Sequence, residues 1–271
     1  MTTTPDHRAP SGEQEHDALQ DGSPDLYVDP GEPFAWWETL LSACVLWPVA
    51  IVHMASWLVV FVVIDRLFVP GWRLVRLPQV ASSLVTLLLG IRVRKLGIDR
   101  LEPRRSYVFC HNHVSLLDTP VLVQSVPFHT RAFQDIAHFR IPIYGGFVRT
   151  LGQLPVSRDD RELNERSYAR AAEMLRAGSC FAVFPEGHRT RDGRLGRFFP
   201  GAFRLAIEAG VPIVPVVTRG LRRLCPAKDW RIRPGRVDVI FGEPIPTRPD
   251  DDPEELARTV RAAMNELLRG A

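Results

Sequence analysis

The segment HNHVSLLDTP, residues 111–120, gathers two histidines, an asparagine and an aspartate in one short run. Three chemistries fit it. His111 and His113, one residue apart in extended chain, would project the same way and could begin a metal site. A catalytic zinc, however, usually takes three protein ligands and a water, and His129, His138 and His188 fall in no HxxxH or comparable spacing. Ser115 and Asp118 have the spacing of a capping box, and Thr119-Pro120 that of a cap with proline at the first helical position. This second reading leaves His113 and Asp118 available for a third: a carboxylate fixing the imidazole tautomer and stabilising its charged form while the other ring nitrogen takes a proton.

A second cluster, PEGHRTRDGR, begins at Pro185. Two glycines and four arginines (Arg189, Arg191, Arg194 and Arg197) surround Glu186 in the sequence. Arginine can grip phosphate bidentately and glycine lets backbone approach a ligand, so the loop suits a phosphate cradle. A solvated basic loop reads equally well.

Both clusters follow short apolar runs. SYVFC (106–110) and CFAVF (180–184) read as buried strands, as do VPIVPVV (211–217) and RVDVIFG (236–242). RELNERSYARAAEMLRAG (161–178) and GAFRLAIEAG (201–210) read as helices ending in glycine, and the last residues, from Asp252 as cap and Pro253 in the first turn, as an amphipathic helix. Strands alternating with helices predict an α/β domain, in which ligands gather at the carboxyl ends of the strands.

The chain's 271 residues and net charge of +3 conceal an asymmetry. Residues 1–38 carry nine acidic side chains against Arg8, near −8, which leaves the rest near +11. The first 33 residues, poor in aliphatics and rich in Pro, Gly and Ser, are expected to be disordered. A basic body invites an anionic partner: nucleic acid, lipid headgroup or phosphorylated substrate. Nucleic acid fits poorly, because the arginines are not interleaved with aromatics on one evident surface. TLLSACVLWPVAIVHMASWLVVFVVI (39–64) has no Asp, Glu, Lys or Arg and is long enough to span a bilayer, or to dip into one leaflet with a kink at Pro48. Its long acidic flank does not suit a signal peptide. Trp36, Trp37, Trp57 and Trp72 suit the headgroup region, and Arg66, Arg73 and Arg76 predict a cytoplasmic downstream side. Residues 77–91, followed by Arg92, Arg94 and Lys95, read as an interfacial helix. Cys44, Cys110, Cys180 and Cys225 form no CxxC pair, as in a reducing compartment.

Taken together, NHVSLLD (112–118), GQLPVSR (152–158), FPEGHRT (184–190) and VPIVPV (211–216) resemble, in order and spacing, the four blocks of the glycerolipid acyltransferases typified by 1-acyl-glycerol-3-phosphate acyltransferase. The resemblance implies a mixed-sheet α/β domain (99–271) on an N-terminal membrane-associated helical region (34–98), after the acidic tail (1–33). It implies that His113 is the general base with Asp118 its partner, and that Arg158, Glu186, Gly187 and Arg189 serve acceptor binding. It further implies a lysophospholipid acceptor, an acyl-CoA or acyl carrier protein donor, membrane lipids as surroundings, and neither metal nor cofactor. His188 stands where the family usually has threonine, and Pro200 where a lysine is common, both near the expected headgroup. A lyso-ornithine lipid or glycolipid acceptor is the nearest alternative. A metal-dependent hydrolase using His111 and His113, and a non-catalytic basic membrane-binding protein, are the alternatives from other classes.

Overall fold

The computed structural model describes residues 32–67, 76–128, 130–142, 144–190 and 192–270. The acidic tail up to residue 31, Trp72, Arg73, His129 and Arg191, and the side chain of Arg66, lie outside the described residues.

The first elements are apolar helices. α1 (Trp36–Leu41) continues through a π-turn over Ser42–Leu46 into α2 (Trp47–Leu67). The wide turn has an identifiable cause. Pro48 offers no N–H to the carbonyl of Cys44 and its ring crowds that carbonyl, so the preceding turn opens and the Trp47 N–H reaches back five residues to Ser42. Trp36–Phe61, 26 residues, is long and apolar enough to cross a membrane. Much of it is exposed, including Ile51, Val52, Met54 and Val59. Its beginning docks on the segment 229–233: Ser42 Oγ accepts the Ile232 N–H at 2.8 Å, Trp47 Nε1 donates to the Trp230 carbonyl at 2.6 Å, and Glu38 pairs with Arg233 at 3.3 Å.

α3 (Arg76–Leu88) packs on one side against α2, through His53 Nε2 and the Ala81 carbonyl, and exposes Val80, Leu84, Leu87 and Leu88 on the other. Here the sequence reading needs correction. Arg92, Arg94 and Lys95 do not flank a helix; they belong to β1 (Ile91–Leu96), an edge strand whose Arg94 pairs with Asp238 of its neighbour. Alternation of apolar and basic residues is what a strand exposed on one face requires. The helical region therefore ends at Leu88, short of residue 98.

The sheet has seven strands: β1, β2 (Val108–His111), β3 (Thr130–Asp135), β4 (Leu154–Val156), β5 (Cys180–Val183), β6 (Ile213–Arg219) and β7 (Gly235–Phe241). Their order is β1-β7-β6-β2-β5-β3-β4, parallel throughout except for the antiparallel β6–β7 pair, so the sheet is mixed. The pleat sends alternate residues to two cores. Phe109 faces α3 and α4 (Asp118–Ser125) with Val214, Val216, Val237 and Val239. Val108 and Cys110 face α6 (Arg161–Arg176), α7 (Gly201–Ala209) and α9 (Pro253–Arg269), which follow α5 (Tyr144–Thr150) and flank α8 (Leu221–Leu224) in the chain. α9 starts as its sequence predicts, with Asp252 accepting the N–H groups of Glu254 and Glu255.

Candidate active site

β2 and β5 are parallel neighbours, so their carboxyl ends open side by side and both unusual segments leave the sheet at one place. After β2 the chain turns and enters α4 at Asp118. Asp118 is fully buried, and its Oδ2 accepts three hydrogen bonds, from His113 Nδ1 at 2.6 Å and from the backbone N–H groups of Val114 at 2.7 Å and Ser115 at 2.8 Å. An oxygen already taking two backbone donors is an acceptor, which assigns the shared proton to His113 Nδ1 and the ring's lone pair to Nε2.

The capping reading is corrected by the same geometry. Asp118 is the first residue of α4, not its third, because its carboxylate folds back over residues 113–115 to collect their donors. Ser115 Oγ accepts the Leu117 N–H at 3.1 Å inside the turn. Thr119 and Pro120 are then the second and third helical residues, where the missing N–H of proline removes no helical bond.

Three further contacts hold His113. Its ring stacks on Phe184, with centroids 4.1 Å apart and planes 20° from parallel. Its N–H donates to Glu186 Oε1 at 3.0 Å, and its carbonyl accepts the Thr190 N–H at 2.7 Å. Glu186 does not sit in a ring of arginines. It is 1% exposed, its second oxygen accepts the Gly196 N–H at 2.9 Å, and Arg189, Arg194 and Arg197 are exposed. Burial pushes its pKa up to about 7, against the opposing pull of the Gly196 and His113 N–H groups. Gly187 next to it has φ +68°, and a Cβ there would lie 3.1 Å from the Phe199 ring, so backbone freedom and lack of bulk are both used.

A cavity of about 410 Å³ opens at His113 and is lined further by His188, Arg189, Ala227 and Lys228. His188 Nδ1 donates to the Glu186 carbonyl at 2.8 Å. The structure thus brings His113, Asp118, Glu186, Gly187 and Arg189 together. Arg158 is apart from them: it is exposed, two residues beyond β4, and β4 is three strands from β2, about 14 Å at ordinary strand spacing. His111 and His113 do not share a site. His111 is fully buried, its Nε2 hydrogen-bonds with Thr218 Oγ1 at 2.5 Å, and burial pushes its pKa down to about 4, with the nearby Asp118 charge opposing. Among the described residues no group of three His, Cys, Asp or Glu side chains is placed to hold a metal ion.

Several contributors escaped the sequence reading. Phe184 stands in the sequence as the end of an apolar run and the start of FPEGHRT, with no task of its own, and Gly196 lies past the quoted loop. Asn112 was part of a motif without a task; in the fold it extends the sheet past β2, accepting the Thr218 N–H at 2.8 Å and donating to the Thr218 carbonyl at 3.2 Å. Ala227 and Lys228, which wall the cavity, come from a segment without any distinctive pattern.

Residues 92–219 match the family model described as Acyltransferase. A 1-acyl-sn-glycerol-3-phosphate acyltransferase alpha from Ovis aries is 33% identical over 189 residues, 67% of this chain and 64% of the sheep protein. A chloroplastic 1-acyl-sn-glycerol-3-phosphate acyltransferase from Arabidopsis thaliana is 34% identical over 156 residues, 56% of this chain and 44% of the plant protein. The chain spans about half the length of such relatives; for one from Chlamydomonas reinhardtii the share is 53%. The crystal structure of a 1-acyl-sn-glycerophosphate acyltransferase from Thermotoga maritima superposes with a TM-score of 0.74, covering 85% of this chain and 94% of that one at 24% identity, and so shares the fold.

Proposed function

We propose, from the match of residues 92–219 to the Acyltransferase family model and the similarity to 1-acyl-sn-glycerol-3-phosphate acyltransferases, that the chain moves a fatty acyl group from a thioester, acyl-CoA or acyl carrier protein, to the free hydroxyl of 1-acyl-glycerol-3-phosphate, forming phosphatidic acid for phospholipid biosynthesis. The observation that carries this reading is the pairing of His113 Nδ1 with buried Asp118, which leaves Nε2 basic at the mouth of a cavity containing Arg189.

Nε2 takes the hydroxyl proton as that oxygen attacks the thioester carbonyl. Asp118 stabilises the imidazolium, which returns the proton to the departing thiolate as the C–S bond breaks. No acyl-enzyme is needed. The exchange transfers no electrons between oxidant and reductant, so it calls for no redox cofactor, and His113 with Asp118 supplies the base without a metal ion. Glu186 and Gly187 shape the loop that holds Arg189, and Arg189 grips the acceptor phosphate. Arg158, set apart at the end of β4, enters this reading as a second phosphate contact only through the family resemblance. Acceptor and product both reside in the bilayer, which suits attachment through the apolar helix beginning at Trp36. The basic residues Arg66, Arg73 and Arg76, which follow the apolar span in the sequence, support a cytoplasmic side for the catalytic domain.

The test is a panel of acceptors, namely lysophosphatidic acid, a lyso-ornithine lipid and a lysoglycolipid, each offered with acyl-CoA and with acyl carrier protein. Preferential labelling of lysophosphatidic acid is expected. Preferential labelling of an unphosphorylated acceptor would overturn the acceptor assignment while leaving acyl transfer in place.

A further inference from the structure

A second cavity, about 820 Å³ and larger than the one at His113, lies beside it. Lys228 lines both. The larger cavity is lined by four basic residues, Arg222, Arg223, Lys228 and Arg231, and by Phe34. Its acidic members are Glu32, Asp192 and Asp229, fewer than its four cations, and the two aspartates are already committed. Asp229 is held bidentately by Arg231, at 3.0 and 2.6 Å. Asp192 accepts the Thr190 hydroxyl at 2.8 Å and the Arg194 N–H at 3.0 Å. Arg223 and Lys228, by contrast, are exposed and take part in no ion pair or hydrogen bond among the described residues. Two cations without carboxylate partners, one of them shared with the cavity at the catalytic base, are placed for a polyanion.

The proposed reaction, on which this inference rests, has two anionic substrates. The acceptor carries one phosphate, for which Arg189 already stands inside the smaller cavity. A groove of several hundred Å³ falls in the range that encloses a cofactor-sized molecule, more than a single phosphate needs. We propose that the larger groove binds the nucleotide end of acyl-CoA, with Arg223 and Lys228 holding its phosphates, while the thioester passes Lys228 to reach His113 Nε2. The donor and acceptor thus approach the base from different sides of Lys228. Because both cations are exposed, each contact is discounted for solvent screening, and removal of one weakens donor binding about tenfold or less.

The experiment uses the full chain in membranes, with Arg223→Ala, Lys228→Ala and Arg223→Lys, and three donors: acyl-CoA, acyl-pantetheine and acyl carrier protein. Acyl-pantetheine has the same thioester but lacks the nucleotide. The expected result is that Arg223→Ala raises the ratio of KM for acyl-CoA to KM for acyl-pantetheine by about 5- to 10-fold, that Arg223→Lys restores much of it, and that the lysophosphatidic acid KM stays put. Added salt should raise the acyl-CoA KM of the unaltered chain more than that of the double alanine variant. An unchanged ratio overturns the inference. A shift in acceptor KM instead assigns the groove to the acceptor, and a shift confined to acyl carrier protein makes it a protein-docking surface; both also overturn it. Failure of the unaltered chain to use any of the three donors would be a different outcome, refuting acyl transfer itself.

Discussion

Replacing Glu186 by Gln should separate stability from turnover. The carboxylate gives one oxygen to the His113 N–H and the other to the Gly196 N–H, at 3.0 and 2.9 Å. Glutamine has the same shape but only one acceptor, so whichever way the amide turns, its NH₂ faces one of these N–H groups. In a residue 1% exposed no water replaces the lost acceptor, and the cost is about 1–3 kcal/mol. Against that stands relief from burying a charge. Burial raises the Glu186 pKa from 4.5 to about 7, which at 1.36 kcal/mol per unit is about 3 kcal/mol disfavouring the ionised form. A raised carboxyl pKa contributes stability that is full below 4.5 and lost as pH rises through about 7. Glutamine carries no such dependence. The variant should therefore gain on the original chain between pH 4.5 and 7 and come out at or slightly above it at pH 8. Turnover at pH 8 should nevertheless fall about 10- to 100-fold, because the loss of either the His113 or the Gly196 contact loosens the side chain that holds the His113 backbone, and small misplacements of a base are costly. Thermal melts at pH 5 and pH 8, with kcat at pH 8, check both halves. A melting point that drops sharply at pH 8 but not at pH 5 would show that the two hydrogen bonds outweigh the buried charge. Unaltered turnover would show that Glu186 does not position His113.

Asp118→Asn keeps the shape that gathers the 113–115 donors but removes the charge facing the imidazolium, so kcat should fall about 10²–10⁴-fold with little change in KM; steady-state kinetics on purified membranes will tell. Arg189→Ala should raise the lysophosphatidic acid KM by about 10- to 100-fold, with partial rescue by lysine, which lacks the planar fork, and little change for an unphosphorylated acceptor. Equal losses for both acceptors would assign Arg189 to the loop or the donor. Removing residues 1–31 should leave activity within about twofold, whereas removing 1–67 should release or aggregate the protein, since it strips the apolar helix and leaves the Ile232 N–H without Ser42; membrane fractionation and size-exclusion chromatography distinguish the cases.

The strands with continuous apolar runs, β2, β5 and most of β6, were legible because both faces are covered and nearly every residue is a candidate for burial, and β7 because Val237 and Val239 alternate with Arg236 and Asp238. β1 was not, since its second, fourth and fifth residues are basic and continue what looked like a helix flank; only the pairing with β7, from the far end of the chain, makes it a strand. β3 is half-buried up to its exposed last residue and β4 half-buried throughout, β4 has three residues with proline at its centre, and neither carries a local signal. At the site, the partnership of His113 with Asp118 could be read because both lie within one turn of chain. Phe184 beneath the imidazole and Gly196 behind Glu186 could not. Their tasks arise from the adjacency of β2 and β5, in which residues about seventy positions apart become neighbours.

The central claim is that His113 Nε2 is the general base of an acyl transfer. The most direct measurement is the kcat of His113→Ala for thioester cleavage coupled to lysophosphatidic acid acylation, with His111→Ala measured beside it and both repeated in chelator. His113→Ala should lose about 10²–10⁴-fold at unchanged membrane binding, and chelator should change nothing. His111→Ala should lose far less, its ring being buried against Thr218 rather than open to the cavity. Near-normal turnover of a folded His113→Ala, or equal dependence on both histidines with inactivation by chelator, would contradict the account.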